Sequence, residues 1–265
     1  MELVTPASPQ AAQALADQLG PRARFIAGGT LLQQEWDEPR LAPRDVCYIN
    51  IQHWPETWPI TLEVEADSLR IGAGARLEAV RRHPLVGIHA PLLAEAIGQL
   101  GALGVRHLGT LGGNIGWGMG DAAPVLLALD AEAELADGRR EPLAHTLQRP
   151  VRPLMVAFHL PRADRHAAVH AVFEKVGYRA AFSPARLRMA LRWHDAGRGR
   201  ALCRAAVAAP DLPVRRLDAV EALLAHTSPD LATLRTACLD DALPPPLASI
   251  ASRLIAGHCG LLTPP

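Results

Sequence analysis

Two stretches of this chain have residue types and spacing that let bare backbone do chemistry. "AGGT" covers Ala27–Thr30 and follows an apolar run. "LGTLGGNIGWGMGD" covers Leu108–Asp121 and holds Gly109, Gly112, Gly113, Gly116, Gly118 and Gly120. Adjacent glycines reach positive φ and let N–H groups approach a ligand closely. Successive N–H groups in such a nest, or at a helix start, bind anions such as phosphate. Thr30 adds a hydroxyl donor. A tight strand–helix turn without a ligand has the same sequence, and that reading stands beside the first. Two separate turns suit the paired phosphates of a dinucleotide better than one turn does. Neither is a Walker A motif, because no G-K-[ST] follows. Neither is a Rossmann fingerprint: "AGGTLL" lacks the third glycine, and no acidic residue follows at the end of a second strand.

Other chemistries find little support. The histidines form no Ser-His-Asp or Cys-His arrangement, and no carboxylate pair stands out as a dyad. Cys47, Cys203, Cys238 and Cys259 lie far apart, without C-x-x-C or Cys/His spacing for zinc or an iron–sulfur cluster. They are expected to be buried thiols in a reducing compartment. Lys plus Arg equals Asp plus Glu, at 27 each, and no basic stripe occurs, so a nucleic-acid partner is not expected. The N-terminus lacks a charged region followed by an apolar one, and no window approaches the ~20 apolar residues of a membrane span. A cytoplasmic chain is expected.

Elements that would position the two turns are legible along the 265 residues. "SPQAAQALADQLG" reads as a helix capped by Ser8 and stopped at Gly20. "ARFIAGGT" reads as a short strand entering the first turn. "LLQQEWDEP" begins a helix that Pro39 ends, and "DVCYINI" is another strand. From His53 onward, two strands joined at Ala66-Asp67 precede helices that run to about Gly101. After the second turn come an apolar helix, a strand turning at Asp137-Gly138, and a strand ending at Pro161. From Arg162 the texture changes. "AAVHAVFEKVGY", which also reads as a helix, and "ARLRMALRWHDAGR" are strand candidates. Helices broken at Ser228-Pro229 and Pro244–Pro246 follow. The expected parts are 1–52, 53–161 and 162–265, with an α+β texture throughout.

"FIAGGTLL", then "LGTLGGNI…D…PVLLALDAEAEL", then "FEKVGYR" resemble, in order and spacing, the FAD-binding medium subunits of the xanthine dehydrogenase family. These molybdenum hydroxylases include carbon monoxide dehydrogenase. The resemblance covers nearly the whole chain. It implies a two-part FAD-binding domain of the vanillyl-alcohol oxidase / p-cresol methylhydroxylase type, followed by a smaller C-terminal α+β domain.

By the same resemblance, two loops cradle the FAD diphosphate. The first is Phe25, Ile26, Ala27, Gly28, Gly29, Thr30, Leu31 and Leu32. The second is Thr110, Leu111, Gly112, Gly113 and Asn114. Amides of Gly28, Gly29, Gly112 and Gly113 would face phosphate oxygens. Asp121 matches an aspartate near the ribityl and ribose hydroxyls; alternatively it caps the helix behind it. Leu100 matches an apolar position beside the flavin, and Met155 one on the strand before the C-terminal domain. Lys175, the only lysine, matches one near the flavin, where it would place positive charge; a solvated strand position is the alternative. Trp117 and Tyr178 are candidates to cover flavin or to line a subunit contact, against ordinary packing. The segment Ile115–Gly120 is shorter than in typical relatives.

The resemblance implies an electron-transfer subunit of a heterotrimer. A molybdopterin-containing large subunit would oxidise the substrate. A 2Fe-2S small subunit would pass electrons to FAD held here, with NAD or oxygen as acceptor. The competing expectation is a non-catalytic binding or assembly protein with a degenerate flavin site.

Overall fold

A computed structural model describes residues 2–36, 43–63, 65–162, 169–179, 183–196 and 199–262. Three sheets follow one another along the chain. The first is parallel. Strand β1 (Glu2–Val4) leads to helix α1 (Pro9–Leu19), then β2 (Ala23–Ile26) and β3 (Cys47–Asn50). β3 lies between the other two strands. Ser8 Oγ accepts from Ala11 N–H at 3.2 Å and so starts α1, while Gly20 at φ +55° ends it. The strand β1 escaped sequence reading because three residues carry no periodicity.

The second sheet is antiparallel, in the order β4 (Ile60–Glu63), β5 (Ser68–Gly72), β8 (Met155–Pro161), β6 (Glu132–Leu135), β7 (Arg140–Pro142). Between β5 and β6 run α2 (Leu77–Arg82), α3 (Pro84–His89), α4 (Pro91–Gly98), α5 (Leu103–Leu108), α6 (Leu111–Trp117) and α7 (Ala122–Ala128); α8 (Leu143–Gln148) follows β7. Asp67 takes φ +45° at the turn into β5, and Gly138 takes φ +84° between β6 and β7, where the sequence placed both turns.

The third sheet is a meander of β9 (His170–Gly177), β10 (Ala185–Ala196), β11 (Gly199–Ala209) and β12 (Leu212–Arg216). α9 (Asp218–His226), α10 (Leu231–Asp240) and α11 (Pro245–His258) complete the described chain. The period of two splits β10 cleanly. Leu187, Met189 and Leu191 pack with Val220, Leu224, Leu234 and Ile255 of the helices. Ala190, on the other face, joins the core that contains α7. Every residue of α7 is buried, as an all-apolar helix between two sheets must be. That helix joins the second sheet to the third.

Two further differences from the sequence reading have physical causes. "LLQQE" forms one 3₁₀ turn, Leu32–Glu35, rather than the start of an α-helix; the stop at Pro39 lies outside the described residues. β11 was not anticipated, because its many alanines carry no β preference, and burial between β10 and β12 decides its conformation. Among the described residues no helix is long and apolar enough to cross a membrane.

Candidate functional site

The first glycine turn leaves β2 at Ile26. Ile51 N–H donates to the Ile26 carbonyl at 3.0 Å, and the Gln52 side-chain amide donates to the Ala27 carbonyl. Gly29 sits at φ +68°. The amides of Gly28 and Gly29 have no protein acceptor among the described residues. Gly28 is required for a different reason: a Cβ there would lie 2.1 Å from the Leu108 carbonyl oxygen. The missing side chain lets the two glycine segments abut.

The second glycine run is a helix, not an open turn. Thr110 Oγ1 accepts from Gly113 N–H at 3.1 Å and caps α6. Leu111 N–H donates to Ala75 O at 3.0 Å, Gly112 N–H to Ala73 O at 2.7 Å, and Asn114 N–H to Thr110 O at 3.0 Å. The amides of Gly112 and Gly113, expected to face phosphate, are therefore engaged inside the protein. What these glycines supply is shape. A Cβ on Gly112 would meet the Ala73 Cβ at 2.8 Å, so its absence lets the helix rest on the segment after β5. Gly113 and Gly116 are exposed and leave one helix face without side chains.

The short bridge to Asp121 is held at both ends. Gly118 at φ +80° ends α6. The Arg152 guanidinium lies against Gly118 and donates to Gly116 O at 2.9 Å. Gly120 packs on Asn114, whose Oδ1 accepts from Ala122 N–H at 3.0 Å. Asn114 thus caps α7 from the preceding helix. Asp121 occupies the N-cap position but makes no capping bond.

The Asp121 carboxylate turns instead to two cations on the third sheet. Lys175 Nζ on β9 donates to its Oδ2 at 2.6 Å, and also to Gln99 O at 3.2 Å. Arg188 Nε on β10 donates to its Oδ1. Lys175 and Arg188 are directly opposite in the β9–β10 ladder. Like charges so placed repel, and the carboxylate from the start of α7 sits on both. Asp121 is 3% exposed. The trio carries one net positive charge. The Arg188 guanidinium also lies 6.0 Å from the centroid of the Trp117 ring. Arg188 was missed at the sequence level. Its signal is an arginine on the same face of β10 as buried Ala190, facing α7 rather than water.

These features wall one cleft with two lobes. The smaller, about 270 Å³, is lined by Gly28, Gly29, Thr30, Leu31, Leu32, Leu100, Thr110, Gly113, Asn114, Asp121 and Lys175 of the anticipated residues, and by Trp117 and Arg188. The larger, about 830 Å³, adds Phe25, Gly112 and Met155, with Gly116, Ile51 and Arg152. Leu31, Leu32, Gly113 and Trp117 line both lobes. Ligand pockets typically span about 300–1,000 Å³. Ile26, Ala27 and Leu111 do not line the cleft; Leu111 is fully buried beneath it. Tyr178 is 75% exposed beneath the Arg186 guanidinium and lines neither lobe.

Comparison with known proteins places these features. Residues 1–162 match the family described as the FAD binding domain in molybdopterin dehydrogenase. The nicotinate dehydrogenase FAD-subunit of Eubacterium barkeri is 34% identical over 121 residues, 43% of this chain and 38% of that protein. The chain thus matches well under half the length of that relative. The carbon monoxide dehydrogenase of Hydrogenophaga pseudoflava superimposes with a TM-score of 0.80 at 24% identity, over 98% of this chain and 96% of that one. Quinoline 2-oxidoreductase from Pseudomonas putida 86 does so with a TM-score of 0.73 at 22% identity, over 99% and 98%. At such identities the likeness concerns the fold.

Proposed function

Because this chain belongs to the family of FAD-binding domains in molybdopterin dehydrogenases, we propose that it is the FAD-holding electron-transfer subunit of a molybdenum hydroxylase. FAD bound in the cleft would supply a two-electron relay between a 2Fe-2S partner and an external acceptor such as NAD or oxygen. A molybdopterin-containing subunit would carry out substrate oxidation. We further propose that the chain works in three parts, 1–52, 53–161 and 162–265, and in the cytoplasm, where a reducing medium suits its four free cysteines.

The convergence of unpartnered donors on one cleft carries this reading. The Gly28 and Gly29 residues and one net positive charge from Lys175, Arg188 and Asp121 border the smaller lobe, and the side-chain-free face of α6 spans both lobes, Gly113 lining each and Gly116 the larger. An anionic, flat dinucleotide needs such donors, such charge and such a face. Backbone amides suit phosphate oxygens. A carboxylate has about four lone-pair positions. Asp121 therefore has capacity left for sugar hydroxyls after serving both cations. The apolar side chains Leu31, Leu32, Leu100 and Met155 exclude water from a ring system.

The test is direct. The purified chain titrated with FAD should quench flavin fluorescence and shift the visible flavin spectrum, and the denatured complex should release FAD. Absence of any change at saturating FAD overturns the reading. Co-purification of an iron–sulfur chain, and flavin reduction through it, tests the electron route.

A further inference from the structure

Arg188 is 9% exposed, yet only one of its nitrogens has a protein acceptor among the described residues: Nε, on Asp121. Its two terminal nitrogens are not among the fully buried side-chain nitrogens and oxygens that lack a hydrogen bond. The residue lines the smaller lobe. A guanidinium so nearly enclosed is costly unless its donors are met. The residue is also held in place on three sides. Asp121 holds Nε, the guanidinium carbon lies over the Trp117 ring at 6.0 Å from its centroid, and the strand pairs Arg188 with Lys175. An arginine on aromatic support presents a rigid fork, suited to phosphate or to neighbouring carbonyl oxygens. Lys175 cannot supply that fork, because two of its three protons are taken by Asp121 and Gln99.

We propose that Arg188 is a cofactor-contacting residue, whose terminal nitrogens donate to an oxygen of bound FAD. The inference rests on the reading of the cleft as an FAD site. It adds a residue that the sequence motifs do not contain. The oxygens of FAD that such a fork could reach lie either in its ADP half or in its flavin half, and the ligand fragments separate the two.

The experiment titrates the full chain with FAD, FMN and ADP at low and high salt. It compares wild type with Arg188→Lys and Arg188→Met, with thermal melts of each protein without cofactor. Loss of a charge-assisted contact is expected to weaken FAD binding about tenfold or more in Arg188→Met. The dependence of affinity on salt should also become shallower. Arg188→Lys keeps the charge and the Asp121 pairing but loses the fork. It should melt as wild type while still binding FAD several-fold more weakly. A loss shared by ADP assigns the ADP half, and a loss confined to FMN and FAD assigns the flavin half. If wild type binds FAD and the folded lysine variant binds all three ligands unchanged, Arg188 makes no contact and the inference falls alone. If wild type binds no FAD, the cofactor reading falls and takes the inference with it.

Discussion

The α-carbon of Gly28 rests on the carbonyl oxygen of Leu108, where a Cβ would come within 2.1 Å. At Gly116, by contrast, a Cβ would meet nothing within 4 Å. The two glycines therefore do different work, and alanine separates them. Gly28→Ala forces backbone against backbone and should cost about 1–3 kcal/mol or more in stability, by analogy with overpacked cores. Gly116→Ala adds a better helix former to α6 and should raise the cofactor-free melting temperature, by roughly 1 kcal/mol of propensity at most. Its methyl group enters the larger lobe and should weaken FAD binding. Melts and FAD titrations of both variants check the contrast; equal effects on stability would refute it.

Asp121 holds two cations on adjacent strands while 3% exposed. Asp121→Asn keeps the shape and removes the charge. Breaking a buried ionic group of this kind costs about 3–5 kcal/mol. We expect a large drop in denaturant midpoint, with hydrogen exchange rising first at β9 and β10. A variant as stable as wild type would mean that Lys175 and Arg188 find other partners.

Asp130, which follows α7 at φ +52°, accepts from Arg204 Nε at 2.8 Å on β11 and from an Arg216 terminal nitrogen at 2.8 Å on β12. This carboxylate ties the α7 end to the third sheet. Asparagine tolerates the same left-handed backbone, so Asp130→Asn isolates the charge. The expected cost is about 1–2 kcal/mol for lost hydrogen bonds to charged groups. FAD affinity should stay unchanged, since Asp130 lines neither lobe. A strong effect on FAD binding would show that sheet docking sets the cleft.

Glu134 sits beside buried His159, with Oε2 and His159 Nε2 2.7 Å apart, and takes a bond from Arg70 Nε at 3.0 Å. The hydrogen bond with His159, then Arg70, pulls its carboxyl down from the ordinary 4.5 to about 2. A carboxyl depressed on folding contributes stability that is present above its unfolded pKa and lost as pH falls through its folded one. Stability should therefore decline between pH 4.5 and about pH 2. Glu134→Gln should be less stable near neutrality and flatter across that window. Parallel acid-unfolding curves for the two proteins would refute the assignment.

Much of this protein was written locally. Ser8 and Gly20 bound α1 because capping and positive φ depend on neighbours within a few residues. The paired glycine segments, Asp121 and Lys175 carried the resemblance, and most of these residues border one cleft, Ile26, Ala27 and Leu111 excepted. What the glycines do was not legible. "TLGGN" reads equally as an anion nest and as a helix start. Only the approach of Ala73 and Ala75 takes up the amides of Gly112 and Leu111 and turns the remaining glycines into a bare face. Arg188 was hidden for the same reason. Its value comes from a carboxylate 67 residues away and a tryptophan on another helix. Motif residues are legible because their backbone demands are local. Donor satisfaction and charge balance depend on which distant segments come together, and packing decides that.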